Sequence, residues 1–290
     1  MAPRLLITGG SSYLGRHLVR LVAAVYPPGE FRYTTFSTDP LTLPQQLALD
    51  VRDGAAVDRL VADFAPEVII HTAGSNRSAD MVAVIVDGTG HVSRAAAAVG
   101  ARLIHISTDS IFDGRSAPYD EESPAAPLND YGRAKAVAEE AACAHPDHVI
   151  VRTSLIYGLE EMDNGTAWVA AALRDGQPVT LFTNQRRNPV WVETLGRACL
   201  ELVDHPYRGV LNVAGRQVLT RAEFGLRLLD WWGIAERATL RLGPDEGGRW
   251  PLDCAMDVRL AGRVLTTPML GVDEVLAAQP GPLSWLNELA

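Results

Sequence analysis

LLITGGSSYLG, at residues 5–15, is the stretch of sequence that decides the fold. Its first residues form a short apolar run that is typical of a buried parallel strand. A glycine-bearing turn follows, and an amphipathic helical pattern begins at about Leu14. Backbone N–H groups of such a turn, at the positive end of a helix dipole, can bind a pyrophosphate. The context predicts a dinucleotide-binding strand-turn-helix unit, although an ordinary strand-to-helix turn is the alternative.

The first half of the chain alternates apolar, β-rich runs with helical stretches. The alternation predicts strands at residues 5–8, 31–36, 47–50, 68–72, 103–107 and 149–153. It predicts helices at residues 14–25, 55–64, 81–99 and 131–144. Continuous apolar strands separated by helices form a parallel sheet that is covered on both faces. We therefore predict an α/β fold with a doubly wound parallel sheet of the Rossmann type.

The regular alternation loosens after about Leu155, where proline and glycine breaks become frequent. Such breaks interrupt helices and strands and indicate a change of architecture. We expect residues 1–154 to form an NAD(P)-binding Rossmann domain and residues 155–290 to form mainly a smaller C-terminal substrate-binding lobe. Segments near 188–204 and 250–258 are expected to return to the first domain.

The composition excludes several classes of function. A net charge of −9 and a pI of about 5.3 argue against binding to nucleic acid or to an acidic membrane surface. Apolar runs are too short for a membrane-spanning helix, so we expect no membrane association. The three cysteines are scattered and show no metal-ligand spacing. This pattern fits a reducing cytoplasm and a protein without a structural metal.

The basic residues contain one anomaly, because Lys135 is the single lysine among 26 lysines and arginines. Tyr131 lies four residues earlier on a predicted helix, so the two side chains share a face. Reduction of a carbonyl by hydride leaves an oxyanion that needs a proton, and a phenol with a pKa of ~10 supplies one only reluctantly. A nearby ammonium would lower that pKa. The pair therefore indicates proton transfer, against a chance pair on a solvated helix.

Thr108 is the third catalytic candidate. It ends a predicted strand in the sequence Ser107-Thr108-Asp109, and ligands of open α/β sheets bind at the carboxyl ends of strands. A hydroxyl there can orient the carbonyl oxygen of a substrate. The alternative is a threonine that caps the following turn.

The end of the second strand bears on the choice of cofactor. NAD sites usually place an acidic residue there, next to the ribose 2′-hydroxyl. Here the strand runs into Phe36-Ser37-Thr38-Asp39, in which Asp39 is expected to lie too far out. Ser37 and Thr38 suit a 2′-phosphate, so we predict NADPH in preference to NADH.

Four segments carry a resemblance to a known group of enzymes. STDSIFDG at 107–114, PLNDYGRAKAVAE at 127–139, VIVRTSLIYG at 149–158 and NPVWVETLGRA at 188–198 are similar to successive signatures of the dTDP-4-dehydrorhamnose reductase group of extended short-chain dehydrogenases. Their order and spacing match across roughly residues 4–215, and GRWPLDCAMD at 248–257 also fits. The resemblance implies NAD(P)H-driven reduction of the 4-keto group of a nucleotide-linked deoxysugar.

The resemblance also implies roles for individual residues. It makes Thr108, Tyr131 and Lys135 the active triad, with Lys135 also on the cofactor ribose. Ser12 stands where the TGxxGxxG loop of this group has its middle glycine. The implied cofactor contacts are Gly9, Ser11, Ser12, Tyr13, Leu14 and Gly15 in the loop; Ser37, Thr38, Asp50 and Val51 around the adenosine; and Thr72, Ala73, Gly74, Thr153, Ser154 and Leu155 beneath the ribose and nicotinamide.

Two departures from the group bear on the substrate. Ser110 stands where the group usually has an aromatic residue, and Leu155 stands where it often has tryptophan. The candidate substrate contacts are Ser110, Arg187 and Trp191, and Arg186 is a further candidate for a diphosphate. The alternative is that the tryptophan fills the core and the arginines form a solvated face.

Three questions stay open at this level. A nucleotide-sugar epimerase or dehydratase with tightly bound NAD would need an acid or base beside the triad, and Asp109 is the nearest candidate. A non-catalytic NADP-binding regulatory subunit, like the regulatory chain of methionine adenosyltransferase, can retain the same motif. Self-association as a homodimer is also left open.

Overall fold

The computed structural model describes residues 2–74 and 79–281. Among these residues, seven strands form one sheet in the order β11-β6-β5-β4-β1-β2-β3, and every pairing is parallel. The order reverses at β1, which opens a crevice at the carboxyl ends of the strands. The strands are β1 Leu5–Thr8, β2 Phe31–Thr35, β3 Gln46–Ala48, β4 Val68–His71, β5 Arg102–Thr108, β6 His148–Thr153 and β11 Gly209–Asn212.

Helices cover both faces of the sheet. Leu5 and Ile7 pack into one apolar cluster with α1 and α6, whereas Leu6 packs into a second cluster with α2 and α3. Side chains of a strand alternate between faces, so a strand that is buried on both sides must be apolar throughout. This packing confirms the predicted doubly wound α/β fold. The covering helices are α1 Tyr13–Val25, α2 Gly54–Phe64, α3 Gly88–Val99, α4 Asp130–Cys143 and α6 Val192–Asp204.

The third predicted helix, at residues 81–99, contains two kinds of helical backbone. A π-helical stretch, Ala83–Asp87, leads directly into α3. Gly88 lies at the junction, where an added Cβ would come within 2.7 Å of the Val51 side chain. The glycine therefore permits close packing of α3 against the loop that follows β3.

Residues between β6 and the last described helix add smaller elements. They form pairs of short strands, β10 with β7, β12 with β9 and β13 with β8. None of the helices within residues 2–74 and 79–281 has the length and apolar character to cross a bilayer. The elements are β7 Ile156–Tyr157, α5 Asn164–Arg174, β8 Val179–Phe182, β9 Arg186–Arg187, β10 Val190–Trp191, β12 Leu219–Thr220, α7 Arg221–Trp231, β13 Leu240–Gly243, α8 Ala261–Val264 and α9 Val272–Ala278.

Candidate active site

Three adjoining cavities follow the carboxyl edge of the sheet. The outer cavity, of about 300 Å³, lies beside the turn after β1 and the ends of β2 and β3. The central cavity, of about 340 Å³, lies over the ends of β4, β5 and β6. The lobe cavity, of about 470 Å³, extends from Thr108 and Tyr131 to α5 and α7. Neighbouring cavities share wall residues, so together they form one trough.

The turn between β1 and α1 depends on its glycines. Gly9 has a φ of +75°, and a Cβ there would lie 2.7 Å from the backbone of Ala73. A Cβ on Gly15 would collide with the Gly9 carbonyl oxygen. Both positions therefore require glycine, and the loop backbone approaches the end of β4 closely.

Ser12 stands at the position of the middle glycine of the TGxxGxxG loop, and its side chain has a structural role. Its side-chain oxygen accepts the Gly15 N–H at 2.9 Å and so caps the first turn of α1. The same oxygen lies 3.2 Å from Oγ1 of Thr72. Ser12 therefore ties the loop to the end of β4, while Ser12, Tyr13, Leu14 and Thr72 all line the central cavity.

The outer cavity contains most of the predicted adenosine contacts. Its walls include Gly9, Ser11, Ser37, Asp50, Val51, Ala73 and Gly74. Thr38 is absent from the walls of all three cavities. Asp39 points elsewhere, because it accepts the Tyr33 hydroxyl at 2.9 Å.

The residues of the outer cavity that the sequence reasoning missed include Phe36 and Arg52. The Arg52 guanidinium lies 5.3 Å from the centre of the Phe36 ring, and both side chains line the wall. Arg52 forms ion pairs with Asp50 at 2.7 Å and with Asp80 at 2.6 Å. The hydrogen bonds from Arg52 hold the pKa of the Asp50 carboxyl below its usual range. An arginine two positions after the predicted adenosine aspartate was the available signal.

Tyr131, Lys135 and Thr108 line the central cavity together. Asn129 begins α4 by accepting the Gly132 N–H at 2.9 Å. Gly132 packs so closely on the Ser110 carbonyl that a Cβ would collide with it. This contact brings the first turn of α4, which carries Tyr131, against the end of β5. The i, i+4 spacing then places Lys135 on the same wall.

Thr108 and Tyr131 line the same wall, and Oγ1 of Thr108 accepts the Ser110 N–H at 3.2 Å. Burial raises the pKa of Tyr131 to about 12, and the nearby Asp109 carboxylate acts in the same direction. The neighbouring Thr108 hydroxyl opposes this shift and lowers the pKa of the phenol. Thr108 therefore contributes directly to the acidity of the phenol.

The ammonium of Lys135 bonds to other partners than the phenol. Its Nζ donates to the Ile106 carbonyl at 2.6 Å and lies 3.2 Å from Nε2 of His105. Burial lowers the pKa of Lys135 to about 8, and the Glu139 carboxylate partly offsets this effect. Glu139 itself is paired with the buried Arg152 at 2.8 Å. The lysine thus changes its charge close to neutral pH.

Two buried histidines below Lys135 were also missed. His71 and His105 pair in register on β4 and β5, and their rings stack with centroids 5.4 Å apart. Burial lowers the pKa of His71 to about 3 and the pKa of His105 well below its ordinary value. Both rings are therefore neutral at physiological pH. His105 Nδ1 has no hydrogen-bond partner among the described residues.

Asp109 connects the triad to the lobe cavity. This buried carboxylate accepts the Ser154 hydroxyl at 2.6 Å and the Ser110 hydroxyl at 3.3 Å. It also lies 3.5 Å from Nε of Arg187. These contacts occupy the carboxylate, which therefore fixes the wall beside Thr108.

The lobe cavity contains only part of the predicted substrate set. Ser110, Leu155 and Arg187 line it, and Ser154 and Thr153 lie on the central cavity, but Trp191 lies on neither wall. Trp191 packs instead against two apolar clusters. Arg186 forms an exposed ion pair with Asp253 at 2.7 Å and is likewise outside. Wall residues that the sequence reasoning missed are Ile156, Asp163, Asn164, Gly165, Phe182, Gln185, Arg221 and Trp250.

Comparisons with known proteins agree with this architecture. A dTDP-4-dehydrorhamnose reductase of Mycobacterium tuberculosis is 34% identical over 233 residues, which cover 75% of this chain and 72% of the relative. Methionine adenosyltransferase 2 subunit beta of Xenopus laevis is 27% identical over 299 residues, which cover 94% of this chain and 87% of the relative.

The fold and the family follow from two further matches. The crystal structure of a hypothetical dTDP-4-dehydrorhamnose reductase from Sulfolobus tokodaii superposes with a TM-score of 0.80 at 26% identity, covering 93% of this chain and 97% of that one. Residues 3–246 match the family described as the RmlD substrate binding domain. Because that match spans most of the sequence, the chain belongs to the RmlD substrate binding domain family.

Proposed function

We propose that the protein is an NAD(P)H-dependent reductase of a ketone, namely the 4-keto group of a dTDP-linked deoxysugar or a related intermediate. One observation carries the proposal: Thr108, Tyr131 and Lys135 share a cavity that joins the glycine turn on one side and the lobe cavity on the other. A dinucleotide and a second ligand could therefore meet at the triad. The named reductase relatives support the same reaction.

The residues around the glycine turn fit a dinucleotide. Gly9 and Gly15 leave the turn without Cβ atoms that would narrow it, and α1 begins at the wall of the cavity. We assign the diphosphate to Gly9, Ser11 and Ser12, and the adenosine to Asp50 and Val51. The ribose and nicotinamide would lie along Thr72, Ala73, Gly74, Thr153 and Ser154. Once bound, the nicotinamide supplies hydride to the carbonyl carbon.

The outer cavity favours NADPH over NADH. Ser37 lies on its wall, whereas the Asp39 carboxylate is bonded to Tyr33. The wall also holds the Arg52 guanidinium, a cation suited to a 2′-phosphate. The acidic residues of this wall, Asp50 and Asp80, are both paired with Arg52.

Residues of the chain donate the proton that the reduced carbonyl oxygen needs. Tyr131 donates its phenolic proton to the oxygen of the reduced carbonyl, and Thr108 holds both the phenol and that oxygen. Lys135 holds a ribose hydroxyl and carries a positive charge below about pH 8. Burial and the Asp109 carboxylate nevertheless keep the pKa of Tyr131 raised, so the phenol keeps its proton at neutral pH until the oxyanion takes it. Asp109 keeps Ser154 and Ser110 in place and has no free oxygen for a second acid or base role. This arrangement favours a reductase over an epimerase or dehydratase.

A second candidate is a cofactor-binding regulatory subunit. Relatives named methionine adenosyltransferase 2 subunit beta match 80–94% of the chain at 27–29% identity. A protein of that kind would bind the dinucleotide without turning over a ketone. We further propose a cytoplasmic location and a substrate-binding lobe made mainly of residues 155–290.

The decisive assay follows the absorbance of NADPH or NADH at 340 nm with a panel of dTDP-4-keto-6-deoxysugars. We expect turnover with at least one of them and a lower KM for NADPH than for NADH. Firm cofactor binding without turnover on any ketone would reject the reductase and support the regulatory subunit. A lower KM for NADH would reject the assignment of Arg52 and Ser37 to a 2′-phosphate.

A further inference from the structure

Arg221 is the first residue of α7, and its side chain lines the lobe cavity. Its backbone N–H donates to the Gln185 carbonyl at 2.8 Å, which fixes the start of the helix beside the cavity. Within residues 2–74 and 79–281, the Arg221 guanidinium makes no hydrogen bond or close ion pair. Burial and the neighbouring Arg187 charge lower its pKa, although it stays protonated. A partly buried cation thus faces the cavity without a direct partner among the described residues.

Arg187 was the arginine that the sequence predicted as a substrate contact. Unlike that of Arg221, its guanidinium has several hydrogen-bond partners. Its guanidinium donates to the carbonyl oxygens of Pro251 at 2.7 Å, Leu252 at 3.0 Å and Arg186 at 2.7 Å. Its Nε faces the Asp109 carboxylate. These bonds use most of its five donors, so Arg187 holds the loop at residues 251–252 in place.

The carboxylates around Arg221 are engaged elsewhere. Asp163 caps α5 by accepting the N–H groups of Gly165 at 2.8 Å and Thr166 at 3.0 Å. Asp109 is held by Ser154 and Arg187. Their charges act on Arg221 through space and partly offset its repulsion from Arg187. Neither supplies the direct partner that a desolvated guanidinium requires.

The chemistry of the missing partner follows from the donor. A guanidinium presents a planar fork of N–H groups that matches two oxygens of a phosphate. The first turn of α5, with Asn164 and Gly165, forms part of the same wall, but the Asp163 carboxylate already accepts its N–H groups, so the cation that a phosphate would meet here is Arg221. A phosphate bound here would lie in the cavity that also contains Thr108 and Tyr131.

We propose that Arg221 binds the diphosphate of the nucleotide-linked substrate, and that it does so in place of Arg187. The proposal rests on the proposed function, because a nucleotide-sugar ligand supplies the diphosphate. It makes Arg221 a residue that selects substrates carrying this group over free keto sugars.

The test measures binding of dTDP and of thymidine to the full chain by isothermal titration calorimetry. We expect Arg221→Gln to weaken dTDP binding at least about tenfold, since a charge-assisted bond to phosphate is lost. Thymidine affinity should stay unchanged. Arg221→Lys keeps the charge but loses the planar fork of N–H groups. Its dTDP affinity should lie between those of the wild type and Arg221→Gln. Arg227→Gln is the matched control, because Arg227 lies on the same helix but pairs with Asp273 at 2.6 Å outside the cavity.

Equal dTDP affinities of the wild type and Arg221→Gln would overturn the proposal, as would a wild type that does not bind dTDP at all. Unchanged circular dichroism and melting temperature establish that the variant folds. Where a keto sugar nucleotide is turned over, KM should rise and kcat should remain within a few-fold. The titration needs no turnover, so it separates failure of this assignment from failure of the proposed reaction.

Discussion

The ammonium nitrogen of Lys135 lies 3.2 Å from Nε2 of His105, a ring that is fully buried beneath the central cavity. A neutral imidazole can accept a hydrogen bond at this nitrogen when its proton resides on Nδ1. Nδ1 has no partner among the residues that the structure describes. One unsatisfied N–H is thus tolerated where the ring supports the only lysine, which indicates that His105 positions Lys135.

Replacing His105 with leucine should move the alkaline limb of the pH profile. A hydrogen bond to the charged form of a group favours that form, so its loss lowers the pKa of Lys135 further below about 8. We expect the upper limb of kcat/KM against pH to move down by about one unit, the equivalent of one charge-assisted bond.

The control for this variant is His205→Asn. The His205 ring accepts the Tyr207 N–H at 3.1 Å, remote from the three cavities. The dependence of kcat/KM on pH in His205→Asn should match that of the wild type. An alkaline limb that stays in place in His105→Leu would remove His105 from any role in positioning the lysine.

Lys135→Met should abolish turnover and yet stabilise the fold at pH 7. The pKa of Lys135 falls from 10.5 to about 8 on folding, so the unfolded chain binds more protons between these values. Stability therefore rises with pH across this window, and below pH 8 the buried charge costs about 3 kcal/mol. Loss of the bond to the Ile106 carbonyl offsets part of the gain. We expect a net gain of about 1–3 kcal/mol in the free energy of unfolding.

Urea unfolding at pH 7 and at pH 10 measures this difference. The advantage of Lys135→Met over the wild type should shrink at pH 10, where the wild-type lysine is already neutral. A variant that is less stable than the wild type at pH 7 would show that desolvation of the ammonium is not the dominant energy.

Tyr131→Phe should lose at least about a hundredfold in kcat, the usual contribution of a general acid. NADPH affinity should be retained, because the ring keeps its packing at the cavity wall. Tyr26→Phe is the control: Tyr26 lies at the end of α1 and lines none of the three cavities. Near-normal kcat in Tyr131→Phe would assign the proton to another donor.

Gly15→Ala should reduce NADPH affinity at least about tenfold, since the new methyl group would displace the Gly9 carbonyl and the Ser12 hydroxyl. Gly90→Ala offers the comparison, because Gly90 lies in α3 with no atom near its Cβ position. That variant should bind normally and gain about 0.5–1 kcal/mol in stability. A fluorescence titration measures the NADPH affinity of both variants. Equal affinities in the two variants would show that the turn tolerates a side chain.

The sheet was largely predictable because a strand that is buried on both faces appears in the sequence as a continuous apolar run. Every strand from β1 to β6 overlaps a predicted apolar run, although β3, β5 and β6 begin one residue earlier than predicted. β11 was not predicted, since Gly209 opens a four-residue strand whose place depends on pairing with β6. Nothing in the local pattern specifies that partner.

The site was predictable where chemistry followed spacing along one element. Tyr131 and Lys135 share a helix face, so four residues of separation were enough to predict a common wall. Arg221 and His105 depend on tertiary placement. The Thr220 and Glu223 capping box marks where α7 begins but not where the helix points. His105 meets His71 only through the register of β4 and β5.

The isolated amine of Lys135 has a chemical consequence beyond the proposed reaction. The other 25 basic side chains of the Lys+Arg class are arginines, and this lysine is only 5% exposed. Acylating reagents, aldehydes and amine crosslinkers therefore find no lysine on the outer surface. Any such label on a lysine must enter through the central cavity. The chain thus carries a single lysine attachment point, which ligands in that cavity would shield.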